Sequence, residues 1–270
     1  MFDLSPILDN TKDKFIAIAF QDLETGADYF LHADDAFYPA STFKVHVMME
    51  VFRQANTAML ELDARLPIVN SFISIANGSE YSLDVEDDAE QTLYPRIGQT
   101  ESILELARLM IVRSSNLATN ILMEKVGTGN INKFIRTLGI EGVTVLRGIS
   151  DKVAFQLGMN NKATARGLTQ TMDLIARKKV VSEEASQQMI DILLRQEFNE
   201  SIPALLPNSV KIAHKTGWAM DFYHDTGIVY PEKRKPYILS IMTKGFPEES
   251  ESEAHECIAE ISRLIYEQLP

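Results

Sequence analysis

Strand-forming residues gather at the two ends of this chain and leave a long helical stretch between them. Residues 15–20 (FIAIAF) read as a buried strand, 24–27 (ETGA) as a turn and 28–32 as the hairpin partner. Strand character returns at residues 210–213, 226–230 and 237–243, ahead of a final helix over roughly 254–268. From about residue 55 to 199 helices dominate, clearest over 102–110 and 117–126, with loops at 77–78, 84–90 and 160–161. Such an order predicts one discontinuous α/β domain, built from residues 1–55 and 200–270 and split by a helical insertion over 56–199. The 270 residues suffice for one large domain or two intimately packed ones.

Three short strings carry chemistry: Ser41-Thr42-Phe43-Lys44, Ser114-Ser115-Asn116 and Lys215-Thr216-Gly217. After Pro39, apolar Phe43, Val47, Met48 and Val51 share a helix face, which predicts Ser41 in the first helical turn. Unpaired N–H groups and the positive dipole end lie there. A serine needs a base to become nucleophilic, and Lys44, three residues on, shares its face. That lysine serves as base if burial and a second cation lower its pKa, and Lys215 is the candidate cation. An isolated S-x-x-K match is expected about once by chance in a chain this long. The K-T-G triplet is rarer and follows an apolar strand, so it is placed at a strand end. There Lys215 and Thr216 can bind a carboxylate while Gly217 lets a substrate backbone lie close.

Several classes of function are excluded or disfavoured. The net charge of −12 argues against nucleic acid. No apolar run approaches the roughly 20 residues of a membrane span. The five histidines are scattered, with no H-E-x-x-H or C-x-x-C, so neither a metal nor another cofactor is expected. No G-x-S-x-G elbow supports a Ser-His-Asp triad. The single cysteine, Cys257, forms no internal disulfide and reads as a core or semi-buried thiol. The acidic run 248–256 reads as a solvated loop entering a helix N-terminus. Residues 1–10 lack the basic and apolar regions of a secretory signal, which fits either a mature exported form or a cytoplasmic protein.

The ordered S-x-x-K, S-x-N and K-T-G strings resemble those of the penicillin-recognising serine hydrolases, class A β-lactamases in particular. The likeness covers most of the chain. Residues 39–44 (PASTFK) look like the family's entry to its nucleophile helix, 114–120 (SSNLATN) match its S-D-N-x-A-x-N, and 160–166 (NNKATAR) are similar to the segment closing its omega-shaped loop. The resemblance implies a β-lactamase/transpeptidase-like α/β (α+β) fold, an antiparallel sheet domain plus an all-helical domain with the active site between them. It implies that Ser41 is acylated, with Lys44 as base, and that Ser114 shuttles a proton. Asn116 would then contact the substrate amide, and Lys215 and Thr216 its carboxylate. The backbone N–H groups of Ser41 and Trp218 would form the oxyanion hole.

Two departures stand out. Ser115 replaces the family's aspartate, and the glutamate that activates the deacylating water is missing. Counting forward from Ser114 without gaps brings that position to Ser150, beside Asp151, the one nearby carboxylate. Asp151 is either a substitute base in a shifted register or an ordinary loop aspartate. Three functions follow from the resemblance: a β-lactamase-like hydrolase, a D-alanyl-D-alanine carboxypeptidase or related penicillin-binding enzyme, and a slowly deacylating sensor. The expected partner is a small β-lactam or a peptidoglycan-like peptide. A periplasmic or secreted monomer is implied by the same resemblance.

Overall fold

A computed structural model describes residues 2–270. A one-turn helix, α1 (Ser5–Leu8), precedes the hairpin of β1 (Phe15–Asp22) and β2 (Asp28–Leu31), in which Ile18 faces Leu31. A 3-10 turn over Ala40–Phe43 then runs into α2 (Lys44–Asn56). Ser41 therefore sits in the 3-10 turn just ahead of the α-helix, because Ala40 adopts a left-handed φ of 45°.

The stretch after α2 departs from the helical expectation. β3 (Arg65–Pro67) pairs with β6 (Thr100–Ser102), and β4 (Phe72–Ile73) pairs with β5 (Glu80–Tyr81) around the Asn77-Gly78 turn. Strands of two or three residues are too short to show an alternating pattern in sequence. Helices resume with α3 (Ile103–Val112), α4 (Asn116–Val126) and α5 (Thr128–Thr137). They continue as α6 (Lys152–Gln156), α7 (Ala165–Ala176) and α8 (Glu183–Leu193). β7 (Lys211–Ala219), β8 (Phe222–Tyr230), β9 (Tyr237–Lys244) and α9 (Glu251–Glu267) complete the chain.

The strands from both ends meet in one antiparallel sheet ordered β2-β1-β9-β8-β7. Ala17 lies opposite Met242 and Thr216 opposite Asp225. Alternation along the strands gives the sheet two apolar faces. Ala17, Ala19, Ala213, Ile228 and Met242 join the core shared with α2 and the central helices. Ile16, Ile18, Phe20, Val229 and Ile241 pack with Ala254, Ile258, Ile261 and Ile265 of α9. Burial on both faces explains why residues 16–20 read as one unbroken apolar run.

α7 lies inside the 56–199 stretch but packs on the sheet. Thr169 Oγ1 donates to Ser240 Oγ at 2.8 Å and to the Ala19 carbonyl at 3.2 Å. Cys257 is buried in α9, where desolvation pushes its thiol up to about 12, so it stays protonated and inert.

Candidate active site

The Ser41 turn is held from both sides. The Pro39 carbonyl accepts from the Thr42 N–H at 3.1 Å and from Thr42 Oγ1 at 2.6 Å. β7, the edge strand of the sheet, presses against the same turn. A Cβ at Gly217 would lie 2.7 Å from the Ser41 nitrogen and 2.9 Å from the Thr42 nitrogen. Only glycine permits that approach. The K-T-G triplet lies within β7, which runs on to Ala219, and not at a strand end as the sequence predicted. The apolar pattern stops at Ala213, although the strand continues through the polar His214, Lys215 and Thr216. As an edge strand, β7 leaves half of its peptide groups without a strand partner.

Two lysines converge on one hydroxyl. Lys44 Nζ donates to the Ser114 carbonyl at 2.6 Å, to Asn116 Oδ1 at 2.8 Å and to Ser114 Oγ at 3.3 Å. Lys215 Nζ donates to Ser114 Oγ at 3.1 Å and to the Thr216 carbonyl at 2.9 Å. Both ammonium stems are fully buried, and neither makes a salt bridge with a carboxylate within 4.0 Å. Desolvation holds Lys44 well below the ordinary lysine range, and the neighbouring Lys215 charge lowers it further. Desolvation brings Lys215 down to about 7, opposed by the Asp225 carboxylate. Ser114 itself has a left-handed φ of 56°, a strain typical of functional positions. The three strings, distant in sequence, thus place Lys44, Ser114, Asn116 and Lys215 in one hydrogen-bonded cluster beside the Ser41 turn.

The N-terminus of α4 holds this cluster in place. Ser115 Oγ caps the helix by accepting from the Ala118 N–H at 3.1 Å. Asp88, buried in the loop before α3, accepts from the Asn116 N–H at 2.9 Å and the Leu117 N–H at 2.9 Å. Tyr94 donates to the same carboxylate at 2.9 Å. Its charge partly offsets the lowering of the Lys44 pKa. Sequence reasoning missed Asp88, because nothing local distinguishes it within an acidic loop.

Asp151 does not join the cluster. It caps α6 by accepting from the Ala154 N–H at 3.0 Å, and also accepts from Ser74 Oγ at 2.8 Å and the Ile75 N–H at 3.0 Å. Both oxygens are occupied and the residue is buried, so the geometry gives it a capping and loop-tethering job. Of the two readings of Asp151, this geometry favours the loop aspartate. The neighbouring segment is pinned by Asn120, which donates to the Ile149 carbonyl at 2.9 Å and accepts from the Ile149 N–H at 2.8 Å. Asn116 and Asn120 stand one turn apart on α4, so Ile149 is fixed along the face that carries the Lys44 partner. Ser150, with a φ of 63°, turns the chain away after it.

Next to Lys215, Thr216 Oγ1 is buried with no hydrogen-bond partner. Trp218 is half-buried and meets Phe198 edge to face at 5.0 Å. His214 has a structural role, bonded to Asp225 at 3.0 Å and Asn199 at 3.2 Å. Among the described residues, no group of three His, Cys, Asp or Glu side chains could hold a metal ion. No helix there is long and apolar enough to cross a membrane.

Comparison with known proteins agrees with this architecture. The model of the "Beta-lactamase enzyme family" matches residues 3–269. Beta-lactamase 3 of Bacillus cereus is 24% identical over 260 residues, covering 92% of this chain and 75% of its own. An ancestral (GNCA) class A β-lactamase superposes with a TM-score of 0.84 at 21% identity, covering 99% of this chain and 100% of the other. A PBP-A mutant, solved as its acyl-enzyme complex with penicillin-G, gives a TM-score of 0.83 at 23% identity over 97% of this chain and 93% of that one. At these identities the structural matches establish the fold.

Proposed function

Because the chain belongs to the β-lactamase enzyme family, we propose that it is a serine hydrolase that opens β-lactams through an acyl-enzyme on Ser41. One observation carries the assignment of roles: the Ser114 hydroxyl bracketed by Lys44 and Lys215. Neutral Lys44 takes the Ser41 proton as Oγ attacks the lactam carbonyl. The C–O bond forms and the carbonyl oxygen becomes an oxyanion between the N–H groups of Ser41 and Trp218. Collapse breaks the C–N bond, and the proton on Lys44 passes through Ser114 to the leaving nitrogen. Lys215 and the unpartnered Thr216 hydroxyl receive the substrate carboxylate, and Asn116 orients the side-chain amide.

Acylation is thus fully equipped, whereas deacylation has no free carboxylate at its expected position. Asp151 is committed to three protein donors. Release of the acyl group is accordingly the slow step. The same observation supports a second reading, a D-alanyl-D-alanine carboxypeptidase acting on peptidoglycan-like peptides. Either substrate places the enzyme in the periplasm or outside the cell.

A fluorescent penicillin should label Ser41 stoichiometrically, detected by intact mass and lost in Ser41→Ala. Absence of a Ser41 adduct would overturn the assignment. Nitrocefin should then give a burst equal to the enzyme concentration followed by slow turnover. Linear turnover with no burst would exclude rate-limiting deacylation.

A further inference from the structure

Ser115 leaves the start of α4 without the carboxylate that the resemblance places there, yet the fold brings one from elsewhere. Position 115 is the N-cap of α4, and an N-cap side chain reaches the second or third N–H of its helix. Ser115 serves the third, at Ala118, and as a neutral hydroxyl carries no charge to the helix end. The first two, at Asn116 and Leu117, are taken by Asp88, buried in the loop before α3. Asp88 also accepts from the Glu90 N–H at 3.1 Å and from the Tyr94 hydroxyl at 2.9 Å. Burial and the Asp88 charge push the Tyr94 hydroxyl up, so it stays protonated and keeps donating. The other acids of this loop do not compete for the role. Glu90 is paired with Arg113 at 2.9 Å, and Asp87 gives only its carbonyl, to Asn116 Nδ2 at 3.1 Å. From the sheet side the charge facing Lys44 is that of Lys215, and Asp225 acts on Lys215. Asp88 reaches Lys44 through Asn116, whose N–H it holds and whose Oδ1 accepts from Lys44 Nζ at 2.8 Å.

We propose that Asp88 is a positioning residue of the acylation machinery, doing from its loop what a carboxylate at position 115 would do from the helix cap. It fixes where Asn116 Oδ1 points. As a counter-charge to the ammonium form, it also sets how basic Lys44 is, against the desolvation and the Lys215 charge that act the other way. A purely structural cap would need the oxygens of Asp88 but not its charge. The effect on acylation rests on the proposed role of Lys44 as the base for Ser41; the effect on Lys44 itself does not.

The test is the rate of Ser41 labelling by fluorescent penicillin, followed against pH in the wild type, Asp88→Asn, Ser115→Asp and the double variant. Asp88→Asn keeps an oxygen for the helix N–H groups and removes the charge. The rising limb of its profile, set by deprotonation of Lys44, should move down by about one pH unit. Its rate above the limb should fall about tenfold, because a less basic Lys44 is a weaker proton acceptor. Adding Ser115→Asp to Asp88→Asn returns a carboxylate to the same helix end, and should restore limb and rate to within about twofold of wild type. Ser115→Asp alone removes no buried charge and should move the limb up, so it tests the proposal even where Asp88→Asn does not fold. An NMR titration of the Lys44 Cε resonance reads the same shifts with no substrate present. Limbs that stay at the wild-type pH in the single variants overturn the proposal, as does a folded double variant that labels like Asp88→Asn. Shifts in the NMR titration without any Ser41 adduct would leave Asp88 as the counter-charge and remove the hydrolase assignment.

Discussion

The Lys44–Ser114–Lys215 cluster and the Asp151 cap are both buried and densely hydrogen-bonded, yet they differ in what they leave unsatisfied. In the cluster, two lysines share one hydroxyl with no ion-paired carboxylate, so desolvation pulls both pKa values down and the Lys215 charge lowers Lys44 further. At Asp151, one carboxylate receives three donors from Ser74, Ile75 and Ala154, which hold it as a helix cap away from the cluster. Satisfied polar groups stabilise a fold; it is the unsatisfied ones that do chemistry. On the proposed roles, acylation and deacylation are unequally provided for in this chain.

The sharpest way to break that contrast is to remove the base. Lys44→Met should slow Ser41 labelling by about 10³-fold, within the range general-base catalysis supplies, while the protein remains folded by circular dichroism. A labelling rate within tenfold of wild type would show that Lys44 is not the base. The converse change should add what the other region lacks. Ile149→Glu places a carboxylate on the segment that Asn120 pins to the α4 face bearing Asn116. It should speed decay of the isolated acyl-enzyme by about 10²-fold. An unchanged decay rate would show that this segment does not face the acyl group.

The pH dependence discriminates the two lysines. The proposed base role needs Lys44 neutral, so the labelling rate should rise with pH along a limb lying well below the ordinary lysine range. The proposed carboxylate-binding role needs Lys215 charged, and desolvation brings that lysine down to about 7. KM for an anionic lactam should therefore rise above pH 7, by at most about tenfold per unit, and Lys215→Met should flatten that rise. Stability follows the same sign. Between pH 7 and the ordinary lysine pKa the unfolded chain holds a proton on residue 215 that the folded chain has released, so stability grows with pH across that window. The smallest chemical effect is expected at the capped carboxylate. Asp151→Ala should cost about 2 kcal/mol of stability, lowering Tm by roughly 4–8 °C, with acyl-enzyme decay unchanged within about twofold.

Much of this contrast is visible before any coordinates. The two-ended strand pattern leads to the sheet, because residues buried on both faces, such as Ile16 to Phe20, must be apolar throughout. The S-x-x-K and K-T-G strings stand out because a hydroxyl and a cation at fixed spacing are legible without tertiary information. What escaped depends on distance in space. Asp88 matters only because its loop folds onto the N-terminus of α4. The four short strands β3 to β6 carry no period. Asp151 reads as a free loop carboxylate until Ser74 and Ile75, far away in the chain, arrive as donors.

The contact between Gly217 and the Ser41 turn bears on how such a molecule comes into being. The turn is seated by an edge strand from the far end of the chain, and that strand is in turn anchored through a sheet in which Phe15 pairs with Lys244. Pairings of such long sequence separation form late, since the loop between them must close first. A nascent chain that has released only its helices carries Ser41 and Lys44 but not the wall that organises them. On the proposed assignment, Ser41 gains its supporting wall only in the final act of folding.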